Sequence, residues 1–281
     1  MHLGIFAKTF PGSTPDDVLG QVKAAGFSTA HYNMACSGLS AMPDAIPDAL
    51  TDDIASAASG SGVKLVGMSA TWNMIHPDLV ERELGFPRLD LLAKASRRVG
   101  AGLVTLCTGT RDPVDQWQAH PDNNTTEAWR DLLVSMEKAV LIAERHDVLL
   151  GIEPELANVV DTAAKARRLI DEMSSDRIRI VLDPANLFEI ETANVRERLV
   201  DEAIGLLGDR VAMAHAKDRD AQGRFVAAGQ GVIDFGHFVR RLKGAGFSGP
   251  LVTHGLAPDE AADVAVFLNK TLGDAEIDHG S

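Results

Sequence analysis

The sequence is poor in cysteine and lacks long apolar runs. Its 281 residues include only two cysteines, Cys36 and Cys107, which are too few and too far apart for a disulfide framework and are typical of a reducing compartment. No window approaches the roughly eighteen apolar residues of a membrane span, so we expect no contact with a membrane. The first residues carry neither a basic segment nor a long apolar stretch, and we expect no signal peptide and a cytoplasmic protein.

The chain also lacks any surplus of positive charge. Its formal net charge is −13, which disfavours nucleic acid as a partner, because phosphates reward basic patches and repel carboxylates. Hydrophobic residues make up 45% of the sequence, enough to bury a full core. These numbers favour a soluble enzyme that acts on small neutral or polar molecules.

Short apolar runs alternate with segments of helical period along the whole chain. The predicted strands occupy residues 3–7, 29–32, 64–69, 103–107, 149–153, 178–183, 211–215 and 251–253. The predicted helices occupy residues 15–25, 48–59, 81–99, 126–146, 162–173, 195–207, 235–245 and 258–272. Eight such units predict an α/β fold, a (βα)8 TIM barrel, as a single domain over residues 1–281. The alternative, a doubly wound open sheet, usually has a Gly-rich phosphate loop after the first strand, and residues 8–12 do not form one.

Three consecutive predicted strands end in side chains that bind metals. Apolar runs stop at Glu153, at Asp183 and at His215, about thirty residues apart. In a barrel the carboxyl ends of the strands share one face, so we expect these groups to meet. Because converging titratable groups in an apolar barrel are costly without a cation, they predict a divalent-metal site. His254 ends the eighth strand and is a candidate fourth ligand; the alternative is that it contacts the substrate or supports a ligand.

The mixture of carboxylates and imidazoles bears on which ion the site would prefer. Ca²⁺ favours shells made only of oxygen, whereas Mn²⁺, Zn²⁺, Co²⁺ and Fe²⁺ accept both donor types. We expect the site to bind Mn²⁺. Zn²⁺, Co²⁺ and Fe²⁺ are alternatives, and Mg²⁺ is possible but less favoured because it binds imidazole least well.

Two loops after strands offer candidate groups for binding a substrate. The loop over residues 71–78 presents Trp72 and Asn73, an apolar face beside a hydrogen-bonding group, which suits a sugar ring. His76 in that loop is a candidate acid or base, or simply a packed loop histidine. Arg111 follows strand four and is a candidate clamp for a phosphate or carboxylate, although Asp112 beside it can neutralise its charge.

Further candidates follow the strands that carry the metal-binding side chains. Asn158 and Asn186 can bind hydroxyl groups or cap helices. Glu155 can orient a substrate or Lys217. Lys217 and Asp218 are expected to form a charge pair at the rim, from which Lys217 can donate to a substrate oxygen, or else a purely structural ion pair.

At these residues the chain resembles the sugar phosphate isomerase/epimerase superfamily, the xylose isomerase-like TIM barrels. The resemblance runs over essentially the whole chain. It is strongest in three segments: Ile-Glu-Pro-Glu at 152–155, Leu-Asp-Pro-Ala-Asn at 182–186 and His-Ala-Lys-Asp at 215–218. The segment Gly-Gln-Gly-Val-Ile-Asp at 229–234 follows shortly after the third. These segments are specific for the superfamily and say little about the reaction.

The resemblance implies a ligand set and two departures from it. The family's Glu, Asp and His ligands after strands five, six and seven fall on Glu153, Asp183 and His215. The fourth ligand, a Glu in the family, falls on His254, which puts in doubt the symmetrical pair of carboxylates that epimerases use as acid and base. Asn186 stands where endonuclease IV and several epimerases carry His, and this departure argues against a zinc nuclease.

The resemblance also implies the chemistry. The superfamily's common step is removal of a proton next to a carbonyl, with the metal stabilising an enediolate, and Glu153 would serve both as ligand and as proton acceptor. The leading expectation is a metal-dependent sugar isomerase or epimerase, with His254, His76 and Lys217 as further catalytic candidates. The alternatives are a metal-dependent lyase or dehydratase acting on a keto-sugar, inosose or keto-glycoside, and a non-catalytic binding barrel. Barrels of this type often pair, so a homodimer is expected.

Overall fold

Eight parallel strands close into a barrel in which each strand pairs with the next barrel strand along the chain and the last pairs with the first. The computed structural model describes residues 1–277, with side chains up to residue 275, so the last four residues of the predicted 1–281 domain lie outside the described part. The barrel strands are β1 (His2–Phe6), β2 (Thr29–Tyr32), β3 (Lys64–Ser69), β4 (Leu103–Cys107), β5 (Leu149–Glu153), β6 (Ile178–Leu182), β7 (Val211–Ala216) and β10 (Pro250–Thr253). The predicted TIM barrel is confirmed.

A helix follows each barrel strand within the described residues. The helices are α1 (Pro15–Ala24), α2 (Asp48–Ser61), α3 (Leu79–Arg98), α4 (Thr126–His146), α5 (Ala163–Met173), α6 (Ala193–Leu207), α7 (Phe235–Gly244) and α8 (Ala261–Ile277). Thr14 and Thr125 cap α1 and α4, as their side chains accept hydrogen bonds from the backbone of Asp17 and Ala128. No helix in this range is long and apolar enough to span a membrane.

Several boundaries differ by a few residues from the sequence-based expectation. The helix α3 starts at Leu79 rather than at residue 81, because Asp78 accepts a hydrogen bond from the Val80 backbone and caps it earlier. The segment from Pro258 opens as a short 3₁₀ turn before α8. After β7 the chain also forms an unexpected hairpin of two short antiparallel strands, β8 (Asp218–Arg219) and β9 (Phe225–Val226).

The interior of the barrel is filled by apolar side chains from strands on all sides of it. Leu103, Val181, Met213 and Val252 are buried together, although they belong to β4, β6, β7 and β10. Because side chains alternate across a strand, the residue two positions after an inward one also points inward. Asp183 follows Val181 at this spacing, His215 follows Met213, and His254 follows Val252. The packing of the barrel therefore sets the direction of these polar side chains.

The loop after β3 is locked against helix α3. The Trp72 indole donates a hydrogen bond to the carbonyl oxygen of Arg82 at 3.3 Å and packs edge-on against Phe86. Gly85 leaves the space that the indole fills, since a methyl group on Gly85 would overlap the Trp72 ring. Trp72 is consequently part of the core between the barrel and its helices.

We predict that Gly85→Ala destabilises the protein by about 1–3 kcal/mol, because the added methyl group displaces Trp72 from a packed site. Gly20→Ala is the matched control, since Gly20 is also helical and has open space around it. That change should be neutral or stabilising by up to about 1 kcal/mol. Urea unfolding of both variants measures the difference, and equal effects would contradict the packing argument.

Candidate metal centre

Four side chains converge at the carboxyl end of the barrel. Glu153, Asp183, His215 and His254 each offer one ligand atom, and these atoms lie within 4.8 Å of one another. They come from the ends of β5, β6, β7 and β10. The sequence-based expectation of one shared site therefore agrees with where the structure places these residues.

The separations suit a shared ion. Two atoms bound to one ion at about 2.1 Å lie roughly 3–4.2 Å apart, depending on the angle between the bonds. His215 Nδ1 lies 3.1 Å from Glu153 Oε1 and 4.0 Å from Asp183 Oδ2, and His254 Nε2 lies 3.1 Å from Asp183 Oδ2. His215 Nε2 is buried and has no hydrogen-bond partner among the described residues. The donor set and the separations of these ligand atoms fit a divalent cation.

Lys217 and Asn186 contact the two carboxylates. The Lys217 ammonium lies 3.1 Å from Asp183 Oδ2 and donates to Asn186 Oδ1 at 3.2 Å. The Asn186 amide in turn donates to Glu153 Oε1 at 3.0 Å. These contacts connect Glu153 to Asp183 through polar groups, which fixes both carboxylates in position.

Neighbouring lysine and histidine side chains keep both carboxylates ionised. Burial alone would raise the pKa of Glu153, but His215 and Lys217 outweigh it and the pKa lies below its usual value. Burial likewise opposes ionisation of Asp183, and Lys217 together with His254 holds the pKa of that carboxyl well below its usual range. The pKa of Lys217 is raised, since Asp183 and Glu153 overcome the effect of burial.

Other titratable groups around the site are shifted toward their neutral forms. Burial, followed by the charge of Glu153, raises the pKa of Glu155 to about 8. Burial and His215 lower the pKa of His254, which leaves a neutral imidazole near pH 7. Burial lowers the pKa of His31 well below its ordinary value, with His215 and His254 adding to the effect. The site thus combines ionised carboxylates with neutral imidazoles.

These groups line one cavity of about 710 Å³ at the mouth of the barrel. Its polar lining comprises Lys8, His31, Asn33, Ser69, Thr71, Thr105, Gln116, Gln118, Glu153, Glu155, Asn186, Glu189, His215, Lys217, Arg219 and His254. Phe6, Leu156, Trp117 and Phe225 contribute apolar surface. Such a mixture of apolar walls and convergent polar groups is typical of a site for a small molecule.

Two candidate substrate contacts from the loop after β3 lie outside this lining. Trp72 is packed against α3 as described above. The Asn73 side chain donates to the Thr110 carbonyl oxygen at 2.8 Å and accepts from the Thr110 backbone at 3.0 Å. Asn73 therefore joins the loops that follow β3 and β4, and its polar atoms are used within the protein.

Three further candidates from the sequence also lie outside the cavity lining. Arg111 forms an ion pair with Asp131, which also pairs with the buried Arg82. His76 contacts the carbonyl oxygen of Pro113 through Nε2 at 3.2 Å. Asn158 accepts a hydrogen bond from the Gly109 backbone at 2.8 Å. These contacts stabilise the loops that surround the cavity.

The expected charge pair of Lys217 with Asp218 is wrong. The Lys217 ammonium pairs with Asp183, whereas the buried Asp218 carboxylate accepts hydrogen bonds from backbone N–H groups of Arg219, Gly229, Gly231 and Ile233. A side chain on Gly231 would overlap Asp218, which explains the small residue at that position. The Gly-Gln-Gly segment therefore wraps around a carboxylate and secures the hairpin β8–β9.

Sequence reasoning did not identify His31. Its ring lies on β2, with Nε2 3.0 Å from Thr105 Oγ1 and its centroid 6.2 Å from that of His215. The period-two pattern could have found it, since a polar residue in a short buried strand must point either to the helices or into the barrel. His31 adds a buried, neutral imidazole to the wall of the cavity.

Comparison with known proteins agrees with this fold. The family model described as xylose isomerase-like TIM barrel matches residues 19–270. No curated protein matches the sequence significantly.

Among solved structures, the chain is similar to 3-keto-D-glucoside 4-epimerase YcjR from E. coli, with 16% identity, a TM-score of 0.76 and coverage of 96% of this chain and 99% of that one. An L-ribulose 3-epimerase has 17% identity, a TM-score of 0.77 and coverage of 99% and 96%. The IOLI protein with a bound zinc atom has 18% identity, a TM-score of 0.73 and 98% coverage of both chains. At these identities the likeness shows the fold.

We predict that acid weakens the protein partly through His31. Its folded-state pKa is depressed, so below about pH 6.5 the unfolded chain binds a proton that the folded chain does not, and stability falls as pH decreases. Replacing His31 with Gln should reduce the loss of unfolding free energy between about pH 7.5 and about pH 5.5 by roughly 1 kcal/mol. Urea unfolding with a chelator present measures this, and an unchanged pH dependence would show that His31 does not cause it.

We predict that Asp183→Asn abolishes stoichiometric binding of a divalent ion, because the amide removes a charged ligand from the cluster. Glu155→Gln is the matched control, since Glu155 lines the same cavity but lies outside the cluster. Metal analysis after equilibration with Mn²⁺ gives the stoichiometry, and circular dichroism checks the fold of each variant. Retention of a full equivalent by Asp183→Asn and by a second variant, Glu153→Gln, would reject the site.

Proposed function

This chain belongs to the xylose isomerase-like TIM barrel family, and on that basis we propose that it is a divalent-metal-dependent sugar isomerase or epimerase. The observation that carries the proposal is the cluster of Glu153, Asp183, His215 and His254, of which all but Asp183 line the cavity. Two structural neighbours, named for 3-keto-D-glucoside and L-ribulose epimerisation, support a sugar as the substrate.

The four residues of the cluster are the proposed ligands. Their mixed oxygen and nitrogen donors favour Mn²⁺, with Zn²⁺, Co²⁺, Fe²⁺ and Mg²⁺ as alternatives. When bound, the ion would act as a Lewis acid toward the substrate carbonyl. A zinc atom bound to one neighbour of the same fold supports a divalent ion as the cofactor.

Glu153 and His254 are the proposed groups for proton transfer. Glu153 is ionised and has two carboxylate oxygens, so it can bind the ion through one oxygen and accept a proton from carbon next to a carbonyl with the other. The neutral His254 imidazole has a single lone-pair nitrogen, so it can accept and return a proton only when it does not bind the ion. They stand on β5 and after β10, so they approach the cavity from different sides of the cluster. This placement supports removal of a proton by one group and its return by the same group or the other.

Lys217 and Asn186 are the proposed groups that hold a substrate oxygen. The Lys217 ammonium uses two N–H groups on Asp183 and Asn186, which leaves one donor for the cavity that it lines. As a fixed positive charge in a buried site, Lys217 would stabilise negative charge that develops on the substrate. Glu155, protonated below its pKa of about 8, can donate a hydrogen bond to a sugar hydroxyl.

A second candidate is a metal-dependent lyase or dehydratase that acts on a keto-sugar, an inosose or a keto-glycoside. The specific observation in its favour is the pair formed by a carboxylate at 153 and an imidazole at 254. Departure of a leaving group needs an acid and a base of different character, whereas epimerisation suits two similar groups. The same initial proton removal serves both reactions.

The setting proposed for this activity is a cytoplasmic homodimer. Both cysteines are buried and free, in keeping with a reducing compartment. Leu79, Val80, Leu84 and Val134 are exposed apolar residues on the neighbouring helices α3 and α4, and such surfaces often mark contacts between subunits.

The test is to incubate Mn²⁺-loaded protein in D₂O with a panel of ketoses, aldoses and keto-sugars. We expect deuterium at a single carbon of at least one sugar, dependent on the metal and lost in Glu153→Gln, because that carboxylate takes up the proton. NMR locates the label and mass spectrometry detects any loss of water or of an aglycone. Such a loss would show that the protein is a lyase or dehydratase rather than an isomerase. If no sugar takes up label and none changes in mass, both proposed functions are wrong.

A further inference from the structure

The cavity is larger than one sugar ring requires. A hexose has about twelve heavy atoms. If each atom occupied about 30 Å³, the volume of one molecule in liquid water, the hexose would fill roughly 360 Å³. The cavity measures about 710 Å³, and its lining includes both residues of the cluster and the half-exposed Trp117. About half of this volume therefore remains beyond a ring that contacts the cluster.

An aromatic side chain stands at the mouth with little to cover it. Trp117 is 50% exposed, yet it lines the same cavity as the cluster. It is distinct from Trp72 and Trp129, which are 9% and 7% exposed. A large apolar side chain left half in water beside a cavity is typical of a binding surface.

The loop that carries Trp117 is held in place by its own hydrogen bonds. Asp112 accepts from the backbone of Val114 and Asp115, and Asp115 accepts from the backbone of Trp117. Thr110 donates to the Gln118 carbonyl oxygen at 2.8 Å, which ties the far end of the loop to its start. The indole thus lies on an ordered turn. Binding of a ligand to it would therefore carry only a small entropic cost for ordering the loop.

The hairpin β8–β9 supplies the wall of the cavity that lies nearer to the cluster. Phe225 is 50% exposed and lines the cavity. The Lys217 ammonium lies 4.1 Å from the centroid of its ring and the Arg219 guanidinium 4.0 Å, so the ring is held by two cations. Arg219 also donates to the Ala185 and Gly223 carbonyl oxygens, which occupies much of a guanidinium that could otherwise bind a phosphate.

We propose that the outer half of the cavity, beside Trp117, is a subsite for a second sugar ring or an aromatic aglycone. The substrate class is then a glycoside rather than a free monosaccharide. The C–H face of a sugar or the ring of an aglycone would stack on Trp117, and the nearby amides of Gln116 and Gln118 would bind hydroxyl groups. The inference rests on the proposed function only for the reaction of the inner ring.

Binding rather than turnover tests the subsite, so that its failure is separable from failure of the proposed reaction. Mn²⁺-loaded protein is titrated calorimetrically with D-glucose and D-galactose, and with their phenyl β-glycosides, cellobiose and lactose. We expect at least one glycoside to bind about tenfold more tightly than its free sugar. If no probe with a second ring binds more tightly than the single ring, the proposal is wrong, whatever the deuterium-exchange experiment shows.

Substitution of Trp117 tests whether this side chain causes the tighter binding of glycosides. Trp117→Ala should reduce the glycoside-to-monosaccharide affinity ratio about two- to tenfold, the range that one aromatic contact supplies, and Trp117→Phe should restore most of it. Val114→Ala is the control on the same loop, since Val114 is 92% exposed and does not line this cavity. An unchanged ratio in Trp117→Ala, or an equal loss in Val114→Ala, would overturn the assignment.

Fluorescence gives an independent readout, because Trp117 is the exposed one of the three tryptophans. Glycoside binding should shift the emission to shorter wavelength, and the shift should vanish in Trp117→Phe. The affinities of glucose 6-phosphate and galactose 6-phosphate are measured in the same way. If they bind more tightly than the glycosides, the outer cavity is an anion site and the glycoside subsite is rejected.

Discussion

The structure depends on how the barrel accommodates two carboxylates and two imidazoles within 4.8 Å of one another in a largely buried site. Ionised Glu153 and Asp183 repel each other, and burial adds a cost to each charge. Lys217 offsets one of the two charges through its 3.1 Å contact with Asp183. One negative charge remains, and a divalent cation would more than balance it. The same charges that make the arrangement costly to fold thus make it suited to binding a cation.

The sequence was sufficient to predict the barrel and the position of its cluster because both follow from the period of a strand. The inward residues Val181, Met213 and Val252 fill the interior, so the residue two positions later must point to the same axis. Asp183, His215 and His254 occupy those later positions. A side chain on a strand can point only into the barrel or toward the helices. The buried apolar residue two positions earlier shows which of these two directions applies.

The loops were not predictable in the same way, since their direction depends on partners that are distant in sequence. Trp72 points toward α3 because Gly85 leaves room for its ring, and Arg111 points to Asp131 on α4. Asp218 binds backbone groups of residues 229–233, so it does not neutralise the adjacent Lys217. Adjacency in sequence suggested a pair in that case, whereas the parallel strands brought Lys217 to Asp183. Contacts of this kind become visible only when the tertiary structure is known.

The imidazole at position 254 changes the electrostatics of the centre in a definite direction. With Glu153 and Asp183 ionised, Lys217 charged and His254 neutral, these four groups carry a charge of −1, and a bound divalent ion would bring the sum to +1. A carboxylate at this position would lower both values by one unit and leave the loaded centre neutral. A positive centre stabilises an oxyanion more strongly and holds a proton less readily. His254 therefore favours a reaction in which negative charge on the substrate persists long enough for its bonds to rearrange, whether the proton then returns to carbon or a neighbouring group departs.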